Sequence, residues 1–444
     1  MASDGIGETV RSRRVPSLGM KLVVIGALAV LLHLGSVMTL GLVREREARS
    51  ASAVAEIAGK WGGAQRLLGP VLTVPFTDAE GRILLGRFLP DELEIKGSAE
   101  PEIRYYGIFK TVVYTSKLVV SGRFTAPDMA AWQITPEQVQ WQNAVIAFGI
   151  SDSKGIRENL EVSWDGSKLA TEPGTGTHGF PANGVSVKLP RDSFANGKPV
   201  AFSLSLQING SESLFFHPLG KVTNVELSSP WAHPSFGGAF LPEKRSIDAK
   251  GFTAAWRILH HNRSYPQAWF DIGQTTASGH TQNAEAIARS GFGVEMHIPA
   301  DHYQQVERSV KYGILFIGLT FMAFFATEII ARRRLHPVQY FMVGLAMTIF
   351  YVILLALAEH VGFSAAYLAA ATGVVGLITA YSKAALAGLK PAAGVCGVLV
   401  TLYGFLFVTL RLQDYALLVG ALGVFGALAV FMMVTRQVDW YEIG

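Results

Sequence analysis

Cysteine is almost missing from this chain: its 444 residues include one, Cys396. A single thiol makes no intrachain disulfide, and this one is far from the N-terminal position of a lipoprotein cysteine. Any exported part must therefore fold without disulfide staples, which a long segment can do. Charge is also scarce, with Asp, Glu, Lys and Arg at 16%. Catalytic signatures are missing too: no G-x-S-x-G elbow, no H-E-x-x-H and no Walker loop, since Asn196-Gly197-Lys198 lacks the upstream glycine. The histidine groupings are His260-His261 and the pair His297/His302. Neither cysteine nor suitably spaced carboxylate stands beside them, so they read as surface or hydrogen-bonded histidines. No catalytic, cofactor-binding or metal site is expected. The net charge of +4 invites a nucleic-acid partner. The basic residues cluster at the ends of apolar runs, which removes that invitation.

What is abundant is apolar sequence, half of all residues. Five runs follow one another closely: Tyr312–Ile330, Val338–Ala358, Phe363–Tyr381, Ala392–Leu410 and Tyr415–Val434. Each is about 20 residues, enough to cross a hydrocarbon core of roughly 30 Å as a helix. A barrel strand would instead alternate over about 10 residues. A further run, Lys21–Val43, follows Arg11, Arg13 and Arg14. It is too long for the h-region of a signal peptide, and Arg44-Glu45-Arg46-Glu47 separates it from the small residues Ala51-Ser52-Ala53. It reads as an uncleaved anchor.

Basic residues set the expected orientation. With the N-terminus cytoplasmic, Arg332-Arg333-Arg334, Lys383, Lys390 and Arg436 all fall on the cytoplasmic side. The expected layout is a cytoplasmic tail (1–20), a first span (21–43), an exported region (44–310), five spans (311–436) and a cytoplasmic tail (437–444).

Within the exported region, Arg44–Lys60 reads as a helix continuing the first span, with Ala53, Ile57 and Trp61 four apart and Gly62-Gly63 ending it. Strand patterns then take over. Val71–Phe76 and Arg104–Val120 suit a pleated surface, and Val200–Ile208 alternates strictly between apolar and polar residues. Asp165-Gly166, Asn183-Gly184, Asn196-Gly197 and Asn209-Gly210 read as turns, and Thr171–Gly184 as a divider of two sub-sheets. The Asn-x-Ser matches at Asn209 and Asn262 also read as turn chemistry. The fold class is α+β: six transmembrane helices, one N-terminal and five C-terminal, plus a large periplasmic antiparallel β-sandwich-like domain.

Ionisable residues at span ends are the candidate site. Glu328 stands four residues before Arg332, an interfacial i,i+4 pair. Glu359, His360, Arg411 and Asp414 sit at span ends on the expected outer face, and read as a polar cluster that clamps spans together. Ala365, Ala369 and Gly373 form a small-residue face suited to close helix packing.

The sequence resembles the CreD family of bacterial inner-membrane proteins. The resemblance is carried by Trp61-Gly62-Gly63-Ala64-Gln65, Gly69-Pro70-Val71-Leu72, Ser229-Pro230-Trp231 through Phe240-Leu241-Pro242, and His336-Pro337-Val338-Gln339-Tyr340. Glu359-His360-Val361-Gly362-Phe363, Leu402-Tyr403-Gly404-Phe405 and Asp414-Tyr415-Ala416-Leu417-Leu418 complete it. The resemblance implies a role in cell-envelope integrity, colicin tolerance and β-lactam response, with no enzymatic activity and no catalytic residues. The expected partners are the lipid bilayer and an envelope protein, lipid or cell-wall component. Two rivals remain open: a transporter or channel-like protein using the outer cluster, and an envelope enzyme with its site in the β-domain.

Overall fold

Nothing in the sequence stops a helix between Lys21 and the glycine pair after Trp61, and α1 (Leu18–Trp61) is one uninterrupted helix of 44 residues. It ends where Gly62 takes φ +139°, a backbone conformation costly for any residue with a Cβ. The computed structural model describes residues 18–176, 183–272, 282–296, 298, 302–331, 333–412 and 415–436. The chain forms two units: one runs from Ser50 to Pro299, and the other is built from the segments on either side.

The Ser50–Pro299 unit contains two sheets, of nine and eight strands among the described residues. The first centres on Gln65–Thr77, which pairs antiparallel with Ile83–Phe88 and Val145–Ile150 and parallel with Ser213–Phe216. The second is built on the long hairpin of Glu92–Tyr106 and Phe109–Phe124. Val200–Ser211 pairs antiparallel with one arm, and Val222–Ser229 runs parallel to the other. Most pairings are antiparallel, as expected, but these two parallel contacts make both sheets mixed. The two inner faces meet in one apolar core. Phe148 of the first sheet lies 6.3 Å from Phe202 of the second, and Trp256 of the second 5.7 Å from Phe292 of the first.

The period-two reading of Val200–Ile208 holds: Val200, Phe202, Leu204, Leu206 and Ile208 are all buried. Each such side chain contributes about 1.5–3 kcal/mol when removed from water. Asp165 and Gly166, at φ 47° and 81°, make the tight turn of a hairpin. Asn209-Gly210 is not a turn. Both residues lie inside the strand Val200–Ser211, and Asn209 is buried, so its Asn-x-Ser match is strand interior. In the segment read as a divider, the chain leaves the second sheet after Ala170 and joins the first at Glu172–Pro173. Residues 177–182 of that segment lie outside the described residues.

A short helix, α2 (Gln282–Arg289), buries Ile287 in the same core. Close to it, His217 is buried with Nδ1 3.1 Å from the Leu67 carbonyl. Burial pushes the imidazole below its ordinary value, and the carbonyl opposes this only in part.

The other unit is helical. After α3 (His302–Lys311) come α4 (Gly313–Ile330), α5 (Pro337–Val361), α6 (Phe363–Ala385), α7 (Leu389–Arg411) and α8 (Ala416–Thr435). Among the described residues, α1 and α4 to α8 are the six helices long and apolar enough to cross a membrane. Inside the bundle, Tyr367 donates to the Tyr403 carbonyl at 2.7 Å, and Phe350 packs edge-on against both rings. The expected packing face of α6 is turned outward. Ala365, Ala369 and Gly373 are exposed, whereas Ala366, Tyr367, Ala370 and Val374 face the neighbouring helices. The packed face, a quarter-turn away, mixes the small residues Ala366, Ala370 and Ala371 with Tyr367 and Val374.

His217 yields the first prediction. Its folded-state pKa is depressed, so unfolded chain binds more protons as pH falls through about 6.5. Its contribution to stability is present above that value and is lost below it. The melting temperature of the full-length protein should fall between about pH 7.5 and 5.5, with a smaller slope in His217→Gln. Equal slopes would exclude His217 as the source.

Candidate functional site

Lys21 and Arg46 are 25 residues apart on α1. At about 100° per residue they return to within roughly 20° of the same face, some 37 Å apart along the axis. Between them the buried stripe is Ile25, Leu32, Ser36, Thr39 and Val43. The helix therefore offers the bundle a stripe of apolar and small hydroxyl side chains with a cation at each end.

Each cation meets a glutamate and a tyrosine. At one end, the Lys21 ammonium bonds Glu328 of α4, and the Tyr340 hydroxyl of α5 donates to the other carboxylate oxygen at 2.9 Å. Tyr340 is 1% exposed, so this carboxylate is bound almost out of water. At the other end, Arg46 lies 3.7 Å from Glu359 of α5, and the Tyr303 hydroxyl of α3 donates to Glu359 at 3.1 Å. A separation of about 37 Å exceeds the roughly 30 Å of hydrocarbon, so the two sets are too far apart for both to lie inside it. In mid-span, Leu32 fills the space over Gly344 of α5: a Cβ there would lie 2.2 Å from Leu32 Cδ1.

These contacts bring in partners that sequence spacing did not indicate. Glu328 pairs with Lys21 and Tyr340, and Arg332 lies outside the described residues. Of the outer cluster, Glu359 is held by Tyr303 and Arg46. His360 is exposed. Arg411 donates to Ser364 at 2.9 Å and lies over the Phe407 ring. Asp414 lies outside the described residues. Glu359 and Arg411 thus make separate contacts. Sequence reasoning used Lys21 only as the start of the first apolar run and Arg46 only as part of the charged segment after it; their shared helix face was the available clue to a structural role. It also passed over His33, the one ionisable residue inside the run Leu22–Val43, whose Nδ1 is buried without a partner.

Of the two histidine groupings, His260 and His261 have ring centroids 3.8 Å apart on an exposed turn, and His297 of the other lies outside the described residues. Among the described residues no three His, Cys, Asp or Glu side chains group as a metal site would require.

Within the β-domain, the end of α1 is fastened by the residues after it. The Arg104 guanidinium lies 3.8 Å over the Trp61 ring, and Trp61 Nε1 donates to the Tyr114 carbonyl at 3.4 Å. The Gly63 amide donates to Asp152 Oδ2 at 3.0 Å. Gln65 Nε2 donates to the carbonyls of Asp152 and Asn209, at 3.0 and 2.9 Å. Backbones approach so closely here that a Cβ on Gly62 would lie 2.6 Å from the Asn209 oxygen. His336-Pro337-Val338-Gln339 has an equally local role: the His336 imidazole accepts from the Val338 amide, and Gln339 accepts from the His336 amide at 2.8 Å. That is a cap for α5, which brings Tyr340 to Glu328 one residue later.

Six apolar helices with a mixed two-sheet domain between the first and second define a multi-pass α+β membrane protein. The family profile described as "Inner membrane protein CreD" matches residues 17–441. The chain is 33% identical over 429 residues to "Inner membrane protein CreD" of Escherichia coli (strain K12), covering 93% of this chain and 92% of that protein. The chain belongs to the CreD family of multi-pass inner-membrane proteins.

Two predictions test the site. Removing one partner of a buried pair costs about 3–5 kcal/mol, and of an exposed pair about 0–1 kcal/mol. Glu328→Gln should therefore lower the melting temperature in detergent more than Glu359→Gln, because Arg46 is 43% exposed. Lys21→Gln combined with Glu328→Gln should be less than additive; additive losses would show that the pair does not interact. At the joint, Gly62→Ala should destabilise by about 1–3 kcal/mol. Gly63→Ala, whose nearest contact would be an ordinary 3.6 Å, should be much milder. Similar melting for both would refute the close-approach argument.

Proposed function

We propose that this protein supports cell-envelope integrity under stress, as a structural or interaction protein whose β-domain contacts an envelope component. In this reading both termini are cytoplasmic. Residues 44–310 form the periplasmic domain on a helical stalk, and residues 311–436 hold it at the membrane. The supporting observation is how the bundle spends its charged groups. Glu328 and Glu359, the carboxylates buried in it, are each bound by a cation of α1 and a tyrosine. That is the chemistry of a fastening, since each carboxylate faces a cation and a tyrosine hydroxyl at a span end. A transport site would place acidic or basic side chains along a path through the middle of the bundle, whereas the mid-span sequence of α1 and of α4 to α8 holds no Asp, Glu, Lys or Arg, and His33 of α1 is its one imidazole. The continuous helix α1 connects the fastened segment to the β-domain. No catalytic residue is proposed.

The test has two arms. A reporter fused after Arg334 should behave as cytoplasmic and one near Gly210 as periplasmic. Cells lacking the chain should leak periplasmic enzymes under β-lactam stress, and the parent chain should restore retention. Reversed reporters overturn the orientation, and unchanged leakage overturns the envelope role.

A further inference from the structure

One polar helix of the helical unit runs where its neighbours are apolar. Near the start of α3, the Tyr303 hydroxyl reaches Glu359 at the end of α5. Just past the end of α3, Gly313 lies against Tyr351 of the same helix: a Cβ there would stand 3.1 Å from the Tyr351 hydroxyl. Tyr351 is eight residues before Glu359, about 12 Å along the axis at 1.5 Å per residue. α3 therefore descends beside α5 by about two turns, and it also touches α4, α6 and α7.

Over the same stretch the neighbouring helices turn apolar side chains outward. Val352 and Ile353 of α5, Leu368 of α6 and Val408 of α7 are each more than a third exposed. The outward face of α3 has another character. Gln304, Glu307, Arg308 and Lys311 fall at i, i+3, i+4 and i+7, so they share one face. Gln304 and Lys311 are exposed, and Arg308 is half-buried. Lys311 pairs with Glu307 at 3.1 Å, which leaves the Arg308 guanidinium facing no carboxylate among the described residues. At the flank of this face, Gln305 Oε1 is buried without a donor.

We propose that the polar face of α3 holds a phospholipid headgroup drawn below the surface of the bilayer, with Arg308 binding its phosphate. Charge decides the ligand. With Glu307 taken by Lys311, the face keeps one net positive charge. An unpaired cation among lipid chains is costly, and the long Arg stem lets its head meet phosphate from the surface. A guanidinium binds phosphate through two parallel N–H···O bonds, and here no carboxylate competes for them. The site ends at Gly313, where α4 turns apolar, so it is a lateral notch and not a path across the bundle. The inference goes beyond the envelope role, and uses the orientation proposed above only to call this leaflet periplasmic.

The test uses the full-length chain with Cys396→Ser, reconstituted in vesicles of phosphatidylethanolamine and phosphatidylglycerol. A membrane-impermeant thiol reagent is present on both sides, so the result is independent of orientation. Lys311→Cys should react on the order of tenfold faster than Val352→Cys, because a thiol shielded by hydrocarbon does not ionise. Fast reaction at both would put this part of α3 above the lipid, slow reaction at both would seal its polar face, and either would overturn the notch. The second arm is melting in detergent with added phosphatidylglycerol, diacylglycerol or inorganic phosphate. Phosphatidylglycerol should raise the melting temperature of the parent. Most of that rise should vanish in Arg308→Gln, each variant being compared with its own lipid-free melting. An undiminished rise in Arg308→Gln, or an equal rise with diacylglycerol or inorganic phosphate, would overturn the headgroup site. Reversed topology reporters would sink the orientation and leave this notch standing in the opposite leaflet.

Discussion

Attaching α1 to the C-terminal bundle is the constraint on which the membrane part depends. Apolar side chains gain little by exchanging lipid for other helices, so spans associate through close packing and polar contacts. A helix separated from its neighbours by the whole β-domain gets no help from a short loop. Here it is gripped by charge at both ends and by shape in the middle. Lys21 and Arg46 meet carboxylates, and Leu32 sits over Gly344, where any side chain would clash. The contrast with α8 is informative. Only 6% of its apolar window is buried, and its position follows from Gly423 against Phe405 and a short connection to α7. Sequence proximity holds α8, whereas specific chemistry holds α1.

The β-domain meets the lack of disulfides with one continuous core shared by both sheets and with its most deeply buried charge bound. Arg87 is the extreme case: at 1% exposure it bonds Asp271 and Thr73 at 3.3 and 3.0 Å. Burial lowers its guanidinium from the ordinary value. Breaking that set would strand a charge in the interior, while swapping the whole set for apolar residues would cost far less. The joint at Trp61–Gln65 follows similar logic with backbone in place of charge. Gly62 and Gly155 leave room for the Asn209 carbonyl, and Gln65 then satisfies it.

Much of this was legible in the sequence because it depends on local period. Spans declare themselves by length, α1 by its unbroken pattern and its glycine stop, and Val200–Ile208 by strict alternation. What was not legible depends on which distant segment lies opposite. Glu328 had a plausible local partner in Arg332, and sequence spacing gives no measure of Lys21, 307 residues away. Asn209-Gly210 has the composition of a turn, yet its neighbours keep alternating through it, and the sheet overrides the dipeptide. For α6, spacing identified a small-residue face correctly but did not say whether helix or lipid would cover it. The parallel contacts of Gln65–Thr77 and Glu92–Tyr106 were equally out of reach, since alternation is identical in parallel and antiparallel strands.

Core and surface are nevertheless tied together by register. In Val222–Ser229, Val225 and Leu227 point inward, so Glu226 and Ser228 must point outward. The same holds for Ile95 and Ala99 against Lys96 and Ser98, and for Phe252 and Ala254 against Thr253. A slip of one residue in any pairing would bury a lysine or a serine and expose a core side chain, at several kcal/mol. Apolar alternation thus aligns, across adjacent strands, Ser98, Ser228, Thr253 and Ser246, residues that contribute little to the core themselves. An ordered polar row on the surface can therefore arise without any contact among its members, as the outward image of a core that allows only one register.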